Sequence, residues 1–523
     1  MKRNLFILVA LFVSISLFGQ GEIDAYRISK KELSGTARGQ AMGGAFGALG
    51  GDVTGVSINP AGIGVYHSSE VIFNAGLTFN NTKATFENSE ESKGNTSVSC
   101  DNFAYIGYYP LGNDDRFSLN FGFNYNRLKN FDRKYKTSGK GMTTSLTDYM
   151  ADITNGTPYN FFTKNNGDYY YADGHPRWLG ILGWSGFLIN PSGNTSYNDD
   201  YVSPLTEGEK VDPSLEVRER GSIGAYDFTL GTNINNRLYL GTSLTYTDIS
   251  YVTETSYNEN FEHGGGFKLV NDYNTEGSGL QVKLGLIFKP VDAFRIGLSY
   301  HSPTWYTLTD YFQGTVYPNR IPDGDGGWAD NTATPNGAYQ EYRFKTPDVW
   351  TLSAAAVLGG FAILSLDYEY TDYSMMKFSK QNINDYDFEY ENGDVKGHFK
   401  GASTVRAGAE FRFTPQFSGR VGCAWMQNPY DQDYKNNKKE VMTIGTVPNY
   451  TLEGDVLYLT TGIGYRFTPQ FYMDFALIYR TQQDELHFYS PLFNGDGSVY
   501  LASAPTKMAN RSVKTLVTLG YKF

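Results

Sequence analysis

The sequence predicts an all-β fold: a transmembrane antiparallel β-barrel of roughly 14 strands. Three observations carry that reading. The chain ends on a two-faced strand, with Val513, Thr515, Val517, Leu519, Tyr521 and Phe523 on one parity and Lys514, Leu516, Thr518, Gly520 and Lys522 on the other. Side chains alternate across a strand, so one face is apolar and the other mostly polar, and the chain stops on an aromatic residue. At the other end Lys2 and Arg3 precede an apolar run from Leu5 to Val13 that continues to Phe18, then Gly19-Gln20-Gly21. Residues 1–20 therefore read as a secretory signal peptide, too short to span a membrane, and no Cys follows the cut to suggest a lipoprotein. Between the ends, short and long connections alternate, as they do where turns lie in the periplasm and loops lie outside.

The strands fall at 70–81, 101–111, 116–128, 223–234, 237–251, 278–289, 293–304, 347–358, 361–374, 402–413, 416–427, 456–467, 471–484 and 511–523. The short connections use turn residues: Asn113-Asp114-Asp115, Asn235-Asn236, Pro290-Val291-Asp292, Gly359-Gly360, and Thr-Pro-Gln-Phe at 414–417 and again at 468–471. The longest connections cover 129–222, 305–346 and 428–455 within a barrel domain that spans 70–523. After residue 20 no run of 18 apolar residues occurs, so no helix spans a bilayer. A mean hydropathy of -0.41 fits a barrel because every second strand residue faces the lumen. The 41 Tyr, 35 Phe and 58 Gly suit aromatic girdles, tight turns and a crowded interior.

Parity assigns faces. Phe117, Leu119, Phe121, Phe123 and Tyr125 oppose Arg116, Ser118, Asn120, Asn124 and Asn126, while Phe471, Met473, Phe475, Leu477 and Tyr479 oppose Asp474 and Arg480. Lipid must meet the apolar set, since an Arg or Lys facing the bilayer midplane costs about 2–4 kcal/mol. By the same rule Lys283, Arg295, Asp367, Glu369, Arg406, Glu410, Arg412, Arg420 and Arg466 point inward. The net charge of -11 and the lack of a Lys/Arg run exclude nucleic acid as a partner. Two Cys make no disulfide framework, and Cys423, within a strand, reads as a small packing residue.

Residues 21–69 do not alternate. They are packed with small residues from Gly35 to Gly51, followed by Asp52-Val53-Thr54-Gly55 and Asn59-Pro60-Ala61-Gly62. No strand precedes the glycines and no Gly-Lys-Ser/Thr follows, so they do not make a phosphate loop. Small residues let a backbone fold compactly against a barrel wall.

On these residues the segment from Gly35 to Gly64 resembles the N-terminal hatch of the FadL/TodX family, outer-membrane transporters of long-chain fatty acids and aromatic hydrocarbons. The sequence-specific match is Asn59, Pro60 and Ala61; strand count and aromatic C-terminus also fit. The wording of Leu33-Ser-Gly-Thr-Ala-Arg38 and Asn59 to Gly64 resembles the Bacteroidetes branch, whose members carry labels such as hemin receptor or outer membrane transport protein. The resemblance implies a 21–69 hatch inside the barrel, gating through Asn59, Pro60, Ala61 and Gly62. It also implies sideways exit of a hydrophobic small molecule into outer-membrane lipid at a kinked strand. Gly122, in the third strand, is the candidate kink, because Gly weakens and bends strands.

Inward Arg295, Arg406, Arg412, Arg420 and Arg466 are candidate lumenal contacts for a carboxylate, since Arg offers a bidentate fork. The competing reading is an interior salt-bridge lattice with Asp367, Glu369, Glu410 and Asp474. Six scattered His give no haem or zinc spacing. Asp323-Gly-Asp-Gly-Gly327 lacks the Glu that a calcium loop needs. No cofactor, metal or catalytic constellation is expected. The alternative to transport is a barrel acting as scaffold or shuttle in an outer-membrane export or assembly complex, with other outer-membrane proteins as partners.

Overall fold

The computed structural model describes residues 21–87, 89–111, 116–158, 161–162, 178–193, 199–382 and 387–523. The segment read as a signal peptide and the turn at 113–115 lie outside the described residues. Fourteen strands close into one ring: β1 Glu70–Phe86, β2 Ser89–Pro110, β3 Phe117–Asn130, β4 Val211–Ile234, β5 Leu238–Phe261, β6 Gly266–Val291, β7 Phe294–His301, β8 Val349–Leu358, β9 Ala362–Asp372, β10 Gly401–Arg412, β11 Phe417–Met426, β12 Tyr450–Arg466, β13 Phe471–His487 and β14 Thr506–Lys522. Each pairs antiparallel with its neighbour, and β14 pairs with β1 from Glu70↔Lys522 to Thr85↔Lys507. Below that ladder Phe523 and Ser69 exchange both backbone hydrogen bonds, at 3.0 and 3.2 Å.

No described helix is long and apolar enough to cross a bilayer. The assigned faces hold. Phe117, Leu119 and Phe121 are 44–47% exposed, as lipid-facing side chains are in the bare protein, whereas Asn120, Asn124 and Asn126 are buried. Both Thr-Pro-Gln-Phe turns are held by their Thr hydroxyl, which accepts from the backbone N–H of the Gln and the Phe. In the external loop the Asp323 carboxylate accepts from the N–H groups of Asp325 and Gly327, which fixes the glycine-rich turn locally.

Three expectations need correction. First, Cys423 is exposed on the outer face between Val421 and Trp425, because its parity is the lipid-facing one. Second, β1 and β2 run on to a hairpin at Phe86↔Ser89 rather than ending in a long loop. Third, β4, β5 and β6 reach 24, 24 and 26 residues, where a tilted strand crosses a bilayer in about 9–11. The wall therefore rises well beyond the membrane. There the polarity of its two faces inverts. In β5 the inward positions change from Ser243, Thr245 and Thr247 to Ile249, Tyr251 and Tyr257, and all six are buried.

Much of the expected long loop sequence is ordered on this upper wall. Residues Arg133–Ser138 pair with β4, Trp305–Asn319 pair with β6, and Tyr339–Lys345 bridge Trp305–Asn319 and Lys377–Lys380. Short helices at Leu146–Asp152, Trp178–Ser185, Glu389–His398 and Gln432–Lys435 fill the mouth. Their apolar residues join the inward aromatics of β5 and β6 in one core. That core also takes in Ile23, Tyr26 and Ile28 from below, so the start of the hatch packs against the external cap.

Candidate functional site

The hatch is built from short pieces. They are α1 Glu22–Ser29, α2 Ala37–Ala41, α3 Val53–Ile58 and a 3-10 turn at Pro60–Val65. Each of the last three is capped by its own polar residue: Thr36 accepts from the Gly39 N–H, Asp52 from Thr54, and Asn59 from Ala61. A buried segment with so little regular structure must satisfy its backbone elsewhere. The inward polar faces of the strands do this. Thr518 accepts from the Ala37 N–H at 2.7 Å, Asn74 donates to Gly35 O at 2.7 Å, and Asn120 donates to Ile63 O at 2.5 Å. Asp367 accepts from the N–H groups of both Phe46 and Gly47 at 3.0 Å.

Asn59 ties hatch to wall. Its amide donates to Gly47 O at 2.8 Å and to Leu286 O of β6 at 3.1 Å, while its oxygen caps Ala61. Pro60 and Ala61 lie against β5 and β6 where Gly241 and Gly285 stand directly opposite each other. A Cβ on Gly241 would meet the Pro60 carbonyl at 2.3 Å, and one on Gly285 would meet Asn59 Oδ1 at 2.0 Å. A second trough, at the cross-strand pair Gly408 and Gly422, takes Met42, whose backbone a Cβ on Gly422 would meet at 2.2 Å. Gly62 sits within the hatch itself, against Gly50 and Gly55. Asn59→Ala leaves the Gly47 and Leu286 carbonyls without these donors, at a cost of about 1–3 kcal/mol. The expected result is faster hydrogen exchange at the Ala61 amide with the barrel amides unchanged.

Charge in the lumen serves the same attachment. Arg38 of α2 pairs with Glu410 at 2.8 Å, Arg420 pairs with Glu410 and with Asp474 at 2.6 Å each, and Arg406 pairs with Glu369 at 3.0 Å. Arg295 donates to Leu49 O of the hatch. Lys283 pairs with Asp227 at 2.7 Å. Arg406 and Arg420 thus pair with acids of the wall, whereas Arg295 engages a backbone carbonyl of the hatch. Arg412 and Arg466 stand exposed at strand ends beside the turns. The hatch ammonium of Lys31 is pushed down to about 8, first by burial and then by the nearby Lys283 cation, with Glu369 opposing.

The cavity lies elsewhere, above the hatch and beneath the cap, with a volume of about 190 Å³. Its wall mixes aromatic side chains such as Tyr26, Phe131, Tyr251 and Tyr430 with charged ones: Arg27, Lys30, Arg127, Lys129, Arg133, Arg480 and Lys514 beside Glu32, Glu219 and Glu453. None of the five candidate arginines lines it. The cavity's cations come from α1 and the residue after it, from the top of β3, from the strand Arg133–Ser138 and from β13 and β14. Strand parity could flag Arg480, which was set opposite the lipid face, but nothing in the linear order joins it to Arg27 or Lys129.

The wall beside this cavity is incomplete. Registered pairing of β2 with β3 runs from Pro110↔Ser118 up to Asn102↔Asn126 and stops there. Above it β2 pairs with β1, while β3 and the strand Arg133–Ser138 pair with β4. Across the break the strands meet through side chains: Arg127 pairs with Asp101, and near the top Lys136 pairs with Glu91 at 3.3 Å and Ser138 donates to Glu91 at 2.6 Å. Both strands carry irregularities at the break. The β1–β2 register skips Asp101, and the β3–β4 register skips Leu128. Asp101 is held by Arg127 at 2.5 Å and Lys514 at 2.8 Å. Gly122, the expected kink, keeps unbroken pairing on both sides, Ile106↔Gly122↔Thr229. It faces the hatch, where a Cβ would meet Ile63 Cδ1 at 2.9 Å. Its small size serves packing, and the irregularities in pairing fall at Asp101 and Leu128 instead.

No curated protein sequence matches the chain. Among solved structures, a FadL homologue from Pseudomonas aeruginosa aligns with a TM-score of 0.51 at 12% identity, covering 94% of this chain and 99% of that one. The toluene transporter TodX from P. putida aligns at 0.46 and 12% identity, covering 93% and 98%. A family model described as outer membrane protein transport protein (OMPP1/FadL/TodX) matches residues 226–487. The chain belongs to this OMPP1/FadL/TodX family of outer-membrane transport proteins, and it is not an enzyme.

Proposed function

We propose that the protein passes hydrophobic small molecules bearing an acidic head, of the long-chain fatty acid class, across the outer membrane without energy input. The observation that carries this reading is the adjacency of cavity and wall break. Arg127, Leu128 and Lys129 line the cavity and also flank the end of the β2–β3 ladder. A ligand reaching the cavity from the cap would set its acyl chain against the aromatic wall and its acid against the cations. Movement of the hatch at Asn59, Pro60, Ala61 and Gly62 would then open the way to the break. Exit through the wall into lipid suits such a solute, because water in the periplasm offers its tail nothing.

Deleting Asp101 and Leu128 together removes the extra residue of each strand at the break, so that β2–β3 pairing can run on past Asn102↔Asn126. Uptake of radiolabelled oleate by cells with no other fatty-acid transporter is the measurement. Uptake should fall to the background of the empty strain while the barrel stays folded; full uptake would refute the lateral route. The scaffold alternative calls for broad apolar patches on the external loops. Among the described residues the exposed loop aromatics Trp328 and Tyr339 share one connection, while Tyr390 and Tyr500 lie on two others.

A further inference from the structure

We infer that the outer face of the wall above β7 and β8 is a binding site for the phosphorylated glycolipid headgroups of the outer leaflet. Three cations meet there. Lys345 stands directly opposite Lys377 on the neighbouring strand, and Arg343 follows two residues along, opposite Ser379. Their parity is the outward one, since the alternate residues Tyr342, Phe344 and Phe378 are buried in the external core. None of the three has an ion-pair partner among the described residues. The nearest acids by position are engaged or set apart: Asp348 accepts from the Trp350 indole at 3.1 Å, Asp387 lies 3.9 Å from Lys380, and Glu341 is one step further along the outward row from Arg343.

Like charges placed opposite each other across strands destabilise a sheet. An uncompensated Lys–Lys pair flanked by an Arg is therefore a cost that an anion would remove. The height of the patch says which anion. Lys345 is cross-strand partner to Trp305, which is itself partner to Leu280 at the top of the lipid-facing row Leu280, Val282, Leu284 and Leu286. Trp305 and Trp350 are 52% and 50% exposed and form part of the upper aromatic girdle. Aromatic belts sit at headgroup level, so cations placed just above one face headgroup phosphates. Exposed Met375, two residues before Lys377, adds an apolar contact below the charges. The surface is continuous with the membrane-facing wall, and its charge complements a bisphosphorylated lipid rather than a neutral one.

The test uses the full-length protein in nanodiscs of phosphatidylethanolamine containing lipid A, read by native mass spectrometry. The wild type should retain bisphosphorylated lipid A, and retention should fall roughly tenfold or more in R343Q/K345Q/K377Q. It should also fall when dephosphorylated lipid A is the probe, and K268Q, a charge removed elsewhere on the outer wall, should change nothing. Heat-modifiable gel mobility confirms that each variant is folded. Equal retention by the triple variant, equal retention of dephosphorylated lipid A, or complete displacement by millimolar inorganic phosphate would each overturn the site. Lysines can also guard a short edge strand such as Lys377–Lys380 against pairing with another chain. That role predicts aggregation of the triple variant with lipid retention unchanged, which likewise overturns the proposal.

Discussion

Leucine at both Gly241 and Gly422 is expected to drive the hatch off the wall and turn a quiet barrel into a conducting one. Each glycine faces hatch backbone, with Pro60 at Gly241 and Met42 at Gly422, closer than any side chain allows. Neither has a flexible neighbour that could swing aside. Overpacking a well-fitted site costs about 1–3 kcal/mol, and two separated sites roughly double that. The outward faces of β5 and β11 are untouched, so the barrel itself should fold and keep its heat-modifiable mobility. Planar-bilayer conductance is the measurement. The variant should show large, sustained open levels where the wild type shows few. A folded double variant that stays as quiet as the wild type would mean that the troughs do not hold the plug.

The second large effect is on stability. Arg420→Met removes the cation shared by Glu410 and Asp474, all three side chains being at most 6% exposed. Breaking a buried charge network from one side costs about 3–5 kcal/mol, because the remaining carboxylates have lost their partner. Glu410 keeps Arg38, so the uncompensated burden falls on Asp474. The temperature at which the compact barrel band converts to the unfolded one should drop well below the wild-type value. R420M/E410Q/D474N should recover most of the loss, since it removes the charges together; Arg38, with a side chain 24% exposed, can turn to water. Failure of the triple variant to recover would assign the effect of Arg420 to packing rather than charge.

Much of the barrel was legible because its membrane half obeys one rule. In β3, the aromatic row from Phe117 to Tyr125 against the Asn row fixes phase, face and span, and the repeated Thr-Pro-Gln-Phe marks two turns. The upper wall was not legible because the rule inverts there. In β5 the inward parity passes from Ser243 and Thr245 to Ile249 and Tyr251, so a strand read by its lipid face ends too early. The hatch announces itself by small residues and Asn59-Pro60-Ala61. Its seats do not, because Gly241, Gly285 and Gly422 are ordinary strand glycines until pairing brings them under the hatch. The cavity is the least legible part. Its cations come from α1, β3, the strand Arg133–Ser138, β13 and β14; the β13–β14 pairing sets Arg480 beside Lys514, and only the seating of the hatch in the lumen brings Arg27 to them. The wall break shows the same limit: the visible signal was a glycine, whereas the pairing is interrupted at two inserted residues, Asp101 and Leu128.

The paired hydrogen bonds between Ser69 and Phe523 place the last residue of the chain against the residue that joins hatch to β1. The contact that ends the β1–β14 ladder therefore also lies where the hatch enters the wall, so parting the two strands there would free the lower end of the hatch as well. A molecule released before that zipper forms would carry two defects at once, an open strand edge and a loose plug, each dangerous to the membrane.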